Sequence, residues 1–136
     1  MTLTEYIDKA HTNATKKGFH KGFKDLLDSI IMHPILEDKN KAKLLKYIIR
    51  VEMIKDLGLL TSEIGEAVEF ARTQKNIVEV PDKENWKESI EEEVADIFIR
   101  LCDFCGKHDI DLEYYVNKKM EYNKTRPNMH GKSIWI

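Results

Sequence analysis

The sequence is poor in the residues that interrupt regular structure, and it is poor in cysteine. Its 136 residues include only six glycines, three prolines and two cysteines. So few glycines and prolines leave little material for the turns of a β-sandwich or a β-barrel. Two cysteines cannot form the disulfide framework of a secreted domain of this size. We therefore expect a helical protein in a reducing, cytoplasmic environment.

The chain also lacks a strong charge of either sign and a long hydrophobic run. It has 22 Lys and Arg against 24 Asp and Glu, a formal net charge of -2. A general nucleic-acid binder needs a basic surface for the phosphate backbone, and a membrane helix needs about 20 successive apolar residues. The start, residues 1–9, lacks the basic-then-apolar pattern of a signal peptide. We expect no nucleic-acid partner, no membrane association and one cytoplasmic domain over residues 1–136.

What the sequence does have is helical periodicity of its apolar residues. The pattern predicts helices over residues 4–17, 23–31, 40–74, 86–105 and 112–126. Thr2, Asn40 and Asp111 are the expected N-caps, and Gly18 and Gly106 are expected to end the helices that precede them. The expected architecture is an all-α bundle of four to five helices with a long central helix and an extended C-terminal tail over 128–136. Since the long helix is apolar on more than one face between Ile48 and Leu60, we expect a homodimer or a homotetramer.

Two pairs of acids lie beside the predicted packing seams. Glu63 and Glu66 border the apolar arc of the long helix, and Glu93 and Asp96 take the matching position on the next one. If the seams pack together, four carboxylates converge, and a hard divalent cation relieves their repulsion and lost hydration. Oxygen ligands alone suit Mg²⁺, with Mn²⁺ as a substitute, better than Zn²⁺. The alternative is that all four are exposed salt-bridge partners in a chain with 24 acids.

Three polar residues interrupt the apolar stripe of the last predicted helix. Lys119, Asn123 and Arg126 either extend to solvent or point into a polar site. Magnesium–carboxylate sites often share their metal with substrate phosphates, whose remaining charge attracts Lys and Arg. Acids on two helices and bases on a third therefore predict a pocket for magnesium and a polyphosphate.

One weaker pattern is Cys102-Asp-Phe-Cys105, followed three residues later by His108. A redox or zinc site is the functional interpretation, but a single pair within an apolar helical turn favours two small core residues.

The order and spacing of these motifs resemble the MazG-like superfamily of all-α nucleoside triphosphate pyrophosphohydrolases. The resemblance rests on the E-x-x-E at 63–66, the E-x-x-D at 93–96 and the Lys, Asn and Arg of the last helix. It extends to residues 11–19 and to Arg126-Pro127 with His130-Gly131-Lys132. Residues 23–43 look like a lineage-specific insertion or a lengthened helix. Ser62 occupies a position where many members carry another Glu. If catalysis in this chain needs that additional acid, Glu92 or Glu69 would have to supply it.

The resemblance implies hydrolysis of a (deoxy)nucleoside triphosphate between its α and β phosphates, releasing a monophosphate and pyrophosphate to sanitise or adjust a nucleotide pool. It implies Mg²⁺ ligands and catalytic carboxylates at Glu63, Glu66, Glu93 and Asp96. Substrate contacts are implied at Lys119, Asn123, Arg126, Lys132, His11 and Phe19. His11 and Phe19 have an alternative reading as a helix histidine and a core phenylalanine.

Two other functions stay open. One is the same hydrolysis on another nucleoside polyphosphate, such as phosphoribosyl-ATP. The other is a non-catalytic helical oligomer that binds a nucleotide or a protein partner.

Overall fold

The computed structural model describes residues 1–73, 83–84 and 86–127, and these residues form five helices and no strand. The helices are α1 (Leu3–Lys16), α2 (Lys21–Ile31), α3 (Asp38–Thr73), α4 (Ile90–Lys107) and α5 (Leu112–Lys124). The all-α prediction is thus confirmed for this part of the chain. The predicted tail over 128–136, with Lys132, lies outside the described residues. No helix among those described has the length and apolarity to cross a membrane.

Side-chain caps define several helix ends as the sequence predicts. Thr2 and Glu5 form a capping box at the start of α1, in which each side chain bonds the other residue's backbone N–H. The Asp111 carboxylate accepts the backbone N–H of Tyr114 at 3.1 Å and begins α5. Gly18, just after α1, has φ +82°, a left-handed conformation that glycine adopts without strain.

Helices α3 and α4 do not begin as the sequence predicts. Asn40 lies inside α3 instead of capping it, because the helix already starts at Asp38 and the backbone N–H of Lys41 donates to the carbonyl of Glu37 at 2.9 Å. Helix α4 begins at Ile90 and not near residue 86, since the Ser89 hydroxyl accepts the backbone N–H of Glu92.

Gly106 does not end α4, which continues through Lys107. Its absent side chain serves packing instead: a Cβ at this position would lie 2.5 Å from the Cβ of His11 on α1. Gly106 therefore lets α1 and α4 approach closely.

Helix α4 packs against both α1 and α3, while α2 packs against α3 and α5 packs against α1. The core between α1 and α4 contains Ile7, Cys102 and Cys105, and the cysteines are 1% and 2% exposed. Burial raises the pKa of both thiols, so they stay neutral and act as small apolar residues. Their assignment to the core is confirmed.

Few residues of the described chain are buried, and all of them are small or aliphatic: Ile7, Ile30, Ala67, Cys102 and Cys105. Many larger apolar side chains of α3 are exposed, namely Leu44, Tyr47, Ile49, Val51, Ile54, Leu57, Leu59, Ile64 and Val68. Within the part of a single copy that the structure describes, much of the apolar surface of α3 is thus exposed.

Candidate functional site

A cleft of about 510 Å³ opens between α1, the turn that follows it, α3 and α4. This volume lies in the range of pockets that hold small organic ligands. Its lining mixes apolar and charged side chains. The polar and aromatic lining residues are Asn13, Lys17, Phe19, His20, Lys55, Asp56, Asp96, Arg100, Asp103, Phe104 and Lys107. One of the predicted catalytic acids, Asp96, and one predicted substrate contact, Phe19, belong to this wall.

One face of α4 supplies a stripe of alternating charges to the cleft. Asp96, Arg100, Asp103 and Lys107 are spaced at i, i+4, i+7 and i+11, so they lie along the same side of the helix. Of these four residues, only Asp96 is among the predicted site residues. Continuing the same helical spacing beyond Asp96 is the signal that would have found the other three.

A network of charged groups joins α3 to the end of α4 beside the cleft. The Nζ atom of Lys107 lies 2.7 Å from Glu52 Oε1 and 2.7 Å from Asp56 Oδ2, and the Lys107 side chain is only 6% exposed. His108 Nε2 lies 3.0 Å from the same oxygen of Asp56. Lys107 also stands over the ring of Phe23, 4.7 Å from its centroid.

The network keeps its carboxylates ionised. Burial alone would raise the pKa of Asp56, but hydrogen bonds from Lys107 and His108 outweigh it, and the pKa is lowered. Burial likewise opposes ionisation of Glu52, whose pKa is lowered by Lys107 and Lys55. Lys107 therefore joins α4 to α3, while Lys55 pairs with the same two acids within α3.

A second polar cluster ties α1 and its exit turn to α4. Asp103 Oδ1 lies 3.0 Å from His11 Nδ1 and 2.8 Å from His20 Nε2. His11 was predicted to contact a base or sugar. The structure places its ring against Asp103, and the cleft wall includes His20 and Asp103 but not His11.

The four predicted metal ligands lie on α3 and α4, which pack against each other. Glu63 is 19% exposed and pairs with Arg100 Nε at 2.8 Å. Glu66 and Asp96 are exposed, Glu93 is half-buried, and within the described residues none of the three forms an ion pair. No three of these carboxylates come within 4.8 Å of one another; among the residues described, that proximity is met by His11, His20 and Asp103.

The predicted bases of α5 lie elsewhere. Lys119 and Asn123 are exposed, Arg126 is half-buried, and none of the three lines the cleft. Lys119 Nζ and the Arg126 guanidinium lie 4.9 and 5.8 Å from the ring centroid of Tyr122. Within one chain, the cations of the cleft come from α4, α3 and the end of α1 instead.

No family model, curated protein or solved structure matches this chain. Membership of the MazG-like superfamily therefore stays a prediction from the motifs.

Proposed function

We propose that this chain is a Mg²⁺-dependent, MazG-like pyrophosphohydrolase that cleaves a (deoxy)nucleoside triphosphate into a monophosphate and pyrophosphate. The observation that supports it most is the composition of one cleft. That cleft contains an exposed aromatic ring, Phe19, cationic side chains such as Lys17 and Arg100, and the carboxylate of Asp96. A nucleobase can stack on the aromatic ring, a polyphosphate can bind the cationic side chains, and a divalent cation can bind the carboxylate.

The aromatic ring and the cations have separate tasks in this proposal. The Phe19 side chain is 75% exposed and offers a face on which a nucleobase stacks. Lys17 and Arg100 bind phosphate oxygens, and the planar guanidinium of Arg100 suits a bidentate contact. When Arg100 engages a phosphate, its ion pair with Glu63 is released and the Glu63 carboxylate becomes available.

The chemistry of the acidic residues fits magnesium. Glu66, Glu93 and Asp96 offer carboxylate oxygens that no ion pair occupies within the described chain, and Glu63 is the fourth donor. When bound, Mg²⁺ neutralises phosphate charge and lowers the pKa of a water. The residues of this chain hold the triphosphate so that water attacks the α-phosphorus in line with the leaving pyrophosphate. One carboxylate of the set accepts the proton of the attacking water.

A homo-oligomer is part of the proposal, as a dimer or a tetramer. The exposed apolar side chains of α3 supply a face that a second copy can cover. Ile54→Glu, at a side chain 66% exposed on α3, should shift the mass in light scattering toward the monomer. Ile35→Glu, 85% exposed and outside α3, is the matched control. An unchanged mass for Ile54→Glu would argue against this face.

The test of activity is a panel of nucleoside and deoxynucleoside triphosphates, with phosphoribosyl-ATP added, incubated with Mg²⁺. The expected products are the monophosphate and pyrophosphate. Asp96→Asn and Glu93→Gln should lower the rate by about 100-fold or more, because losing a metal contact costs at least as much as losing its supporting groups. Glu121→Gln is the control, since Glu121 is 71% exposed on α5 and pairs with Lys124. Release of orthophosphate, or full activity of Asp96→Asn, would contradict the mechanism.

The ion pair between Glu63 and Arg100 favours a second candidate, a non-catalytic oligomer that binds a nucleotide. In that case the acids stabilise the packing of α3 on α4. Nucleotide binding in calorimetry without turnover of any panel member would support this candidate over hydrolysis.

A further inference from the structure

Three side chains that commonly bind transition metals converge beside the cleft. They are His11 on α1, His20 in the turn after α1, and Asp103 on α4. One ligand atom from each lies within 4.8 Å of the other two. Asp103 Oδ1 is 3.0 Å from His11 Nδ1 and 2.8 Å from His20 Nε2.

These separations are close to those of a metal-binding cluster. Zinc–ligand distances of about 2.0–2.1 Å place neighbouring ligands of a tetrahedral site roughly 3.3 Å apart. The two distances to Asp103 are a few tenths of an ångström shorter. A small outward movement of the two rings would therefore make room for an ion between the three atoms.

The surrounding structure fixes the cluster. In the sequence of α4, Asp103 stands between the two buried cysteines, 102 and 105. Gly106 permits the close approach of the α1 backbone that carries His11. The side chains of His11, His20 and Asp103 are 33%, 16% and 22% exposed, so the cluster is partly desolvated. The rings of His11 and His20 also lie 5.2 Å apart, so the three ligands are already close together and need little rearrangement to bind an ion.

We propose that His11, His20 and Asp103 form a binding site for a divalent transition metal of the Zn²⁺ class. Two imidazole nitrogens and one carboxylate oxygen suit Zn²⁺ better than Mg²⁺, which prefers oxygen ligands. Three protein ligands leave one position of a tetrahedral ion open. His20 and Asp103 line the cleft, so that position faces the space where a ligand binds. Zn²⁺ binding here does not depend on nucleotide hydrolysis.

The primary test is titration of the full chain, stripped with a chelator, with Zn²⁺ in a calorimeter. We expect about one Zn²⁺ per chain. Asp103→Asn and His20→Gln should each weaken binding by 10- to 100-fold or more. His33→Gln is the matched control, because His33 is exposed and, among the described residues, its Nδ1 accepts only the backbone N–H groups of residues 35 and 36. Equal affinity in wild type, Asp103→Asn and His20→Gln, or no binding by the wild type, would overturn the site.

Two further measurements guard against misfolded variants and against a different ligand set. Circular dichroism of the metal-free variants checks that each folds, and Zn²⁺ should raise the melting temperature of the wild type and His33→Gln by more than that of Asp103→Asn. Substituted Co²⁺ should show the visible absorption of a tetrahedral site without a thiolate charge-transfer band, because Cys102 and Cys105 are buried in the core. A thiolate band would assign the metal to the cysteines and reject the cluster.

Discussion

Lys107 is the residue whose removal should cost the fold most among the charged side chains of the cleft. Its Nζ atom lies 2.7 Å from one oxygen each of Glu52 and Asp56, and its side chain is 6% exposed. Lys107→Met keeps the length and packing of the side chain and deletes the charge. The two carboxylates, 17% and 16% exposed, then lose the cation that both of them share.

The expected cost follows from the burial of the pair. Breaking a buried ion pair by removing one partner costs about 3–5 kcal/mol. Here Lys55 remains, with its Nζ 2.5 Å from Glu52 Oε1 and 3.8 Å from Asp56 Oδ1, and His108 still bonds Asp56. These remaining partners and the residual exposure of the acids reduce the estimate to about 2–3 kcal/mol.

The pH dependence separates this mechanism from a packing defect. Since the folded-state pKa values of Glu52 and Asp56 are lowered, their contribution to stability is complete above their ordinary values and is lost as the pH falls through the folded ones. In Lys107→Met, the pKa of both acids should lie above its wild-type value, because the lysine no longer opposes the effect of burial. The variant therefore loses less stability on acidification, and its deficit should shrink between about pH 7 and pH 4.

The assay is urea unfolding followed by circular dichroism at fixed protein concentration, because self-association would otherwise shift the midpoint. Lys118→Met is the control, because this substitution also removes a lysine beside an aromatic ring. Lys118 is exposed, and its Nζ lies 5.7 Å from the ring centroid of Tyr114. We expect less than about 0.5 kcal/mol for it. A loss in the free energy of unfolding below about 1 kcal/mol for Lys107→Met would refute the proposed role of this ion pair. An equal loss at about pH 7 and pH 4 would refute it as well.

Three further substitutions test local features. Gly106→Ala places a Cβ 2.5 Å from that of His11 and should destabilise the fold by about 1–3 kcal/mol; an unchanged melting temperature would mean that α1 and α4 separate at no cost. Asp111→Ala removes the cap of α5 and should cost about 1 kcal/mol in thermal unfolding, whereas Asp111→Asn, which keeps a side-chain oxygen that can accept the same backbone N–H, serves as its control. Phe19→Ala should raise the KM for a nucleotide by roughly 5- to 100-fold through lost stacking and leave the melting temperature unchanged, since the ring is 75% exposed; an unchanged KM would remove Phe19 from the site.

The helices could be predicted because the signals that define them are local. The capping box of Thr2 and Glu5, the cap at Asp111 and the positive φ of Gly18 all follow from residues within one turn of the chain. Gly106 is the exception that shows the limit. The sequence pattern predicts a helix end there, but contact with His11, 95 positions earlier in the chain, explains the glycine instead.

The candidate site was predictable only in part, because helical spacing gives the face of a residue and not the neighbour that the face meets. Asp96 was found from its pairing with Glu93, and it lines the cleft. Lys119 was inferred from its position in an apolar stripe, yet α5 packs against α1 and Lys119 is exposed. Which helix packs against which depends on contacts between distant segments, and no pattern within one helix encodes them.

The positions of Asp96 and Asp103 on α4 also separate the two proposed metal sites. Asp96 and Asp103 lie seven residues apart on α4, about 10 Å along its axis, so one ion cannot bind both. Their partners differ as well: carboxylates around Asp96 favour Mg²⁺, while the imidazoles around Asp103 favour Zn²⁺. Asp96→Asn should therefore keep the wild-type Zn²⁺ affinity, which Asp103→Asn weakens. If Asp96→Asn also abolished Zn²⁺ binding in a folded chain, the assignment of separate magnesium and zinc sites to the two ends of this stretch of α4 would be wrong.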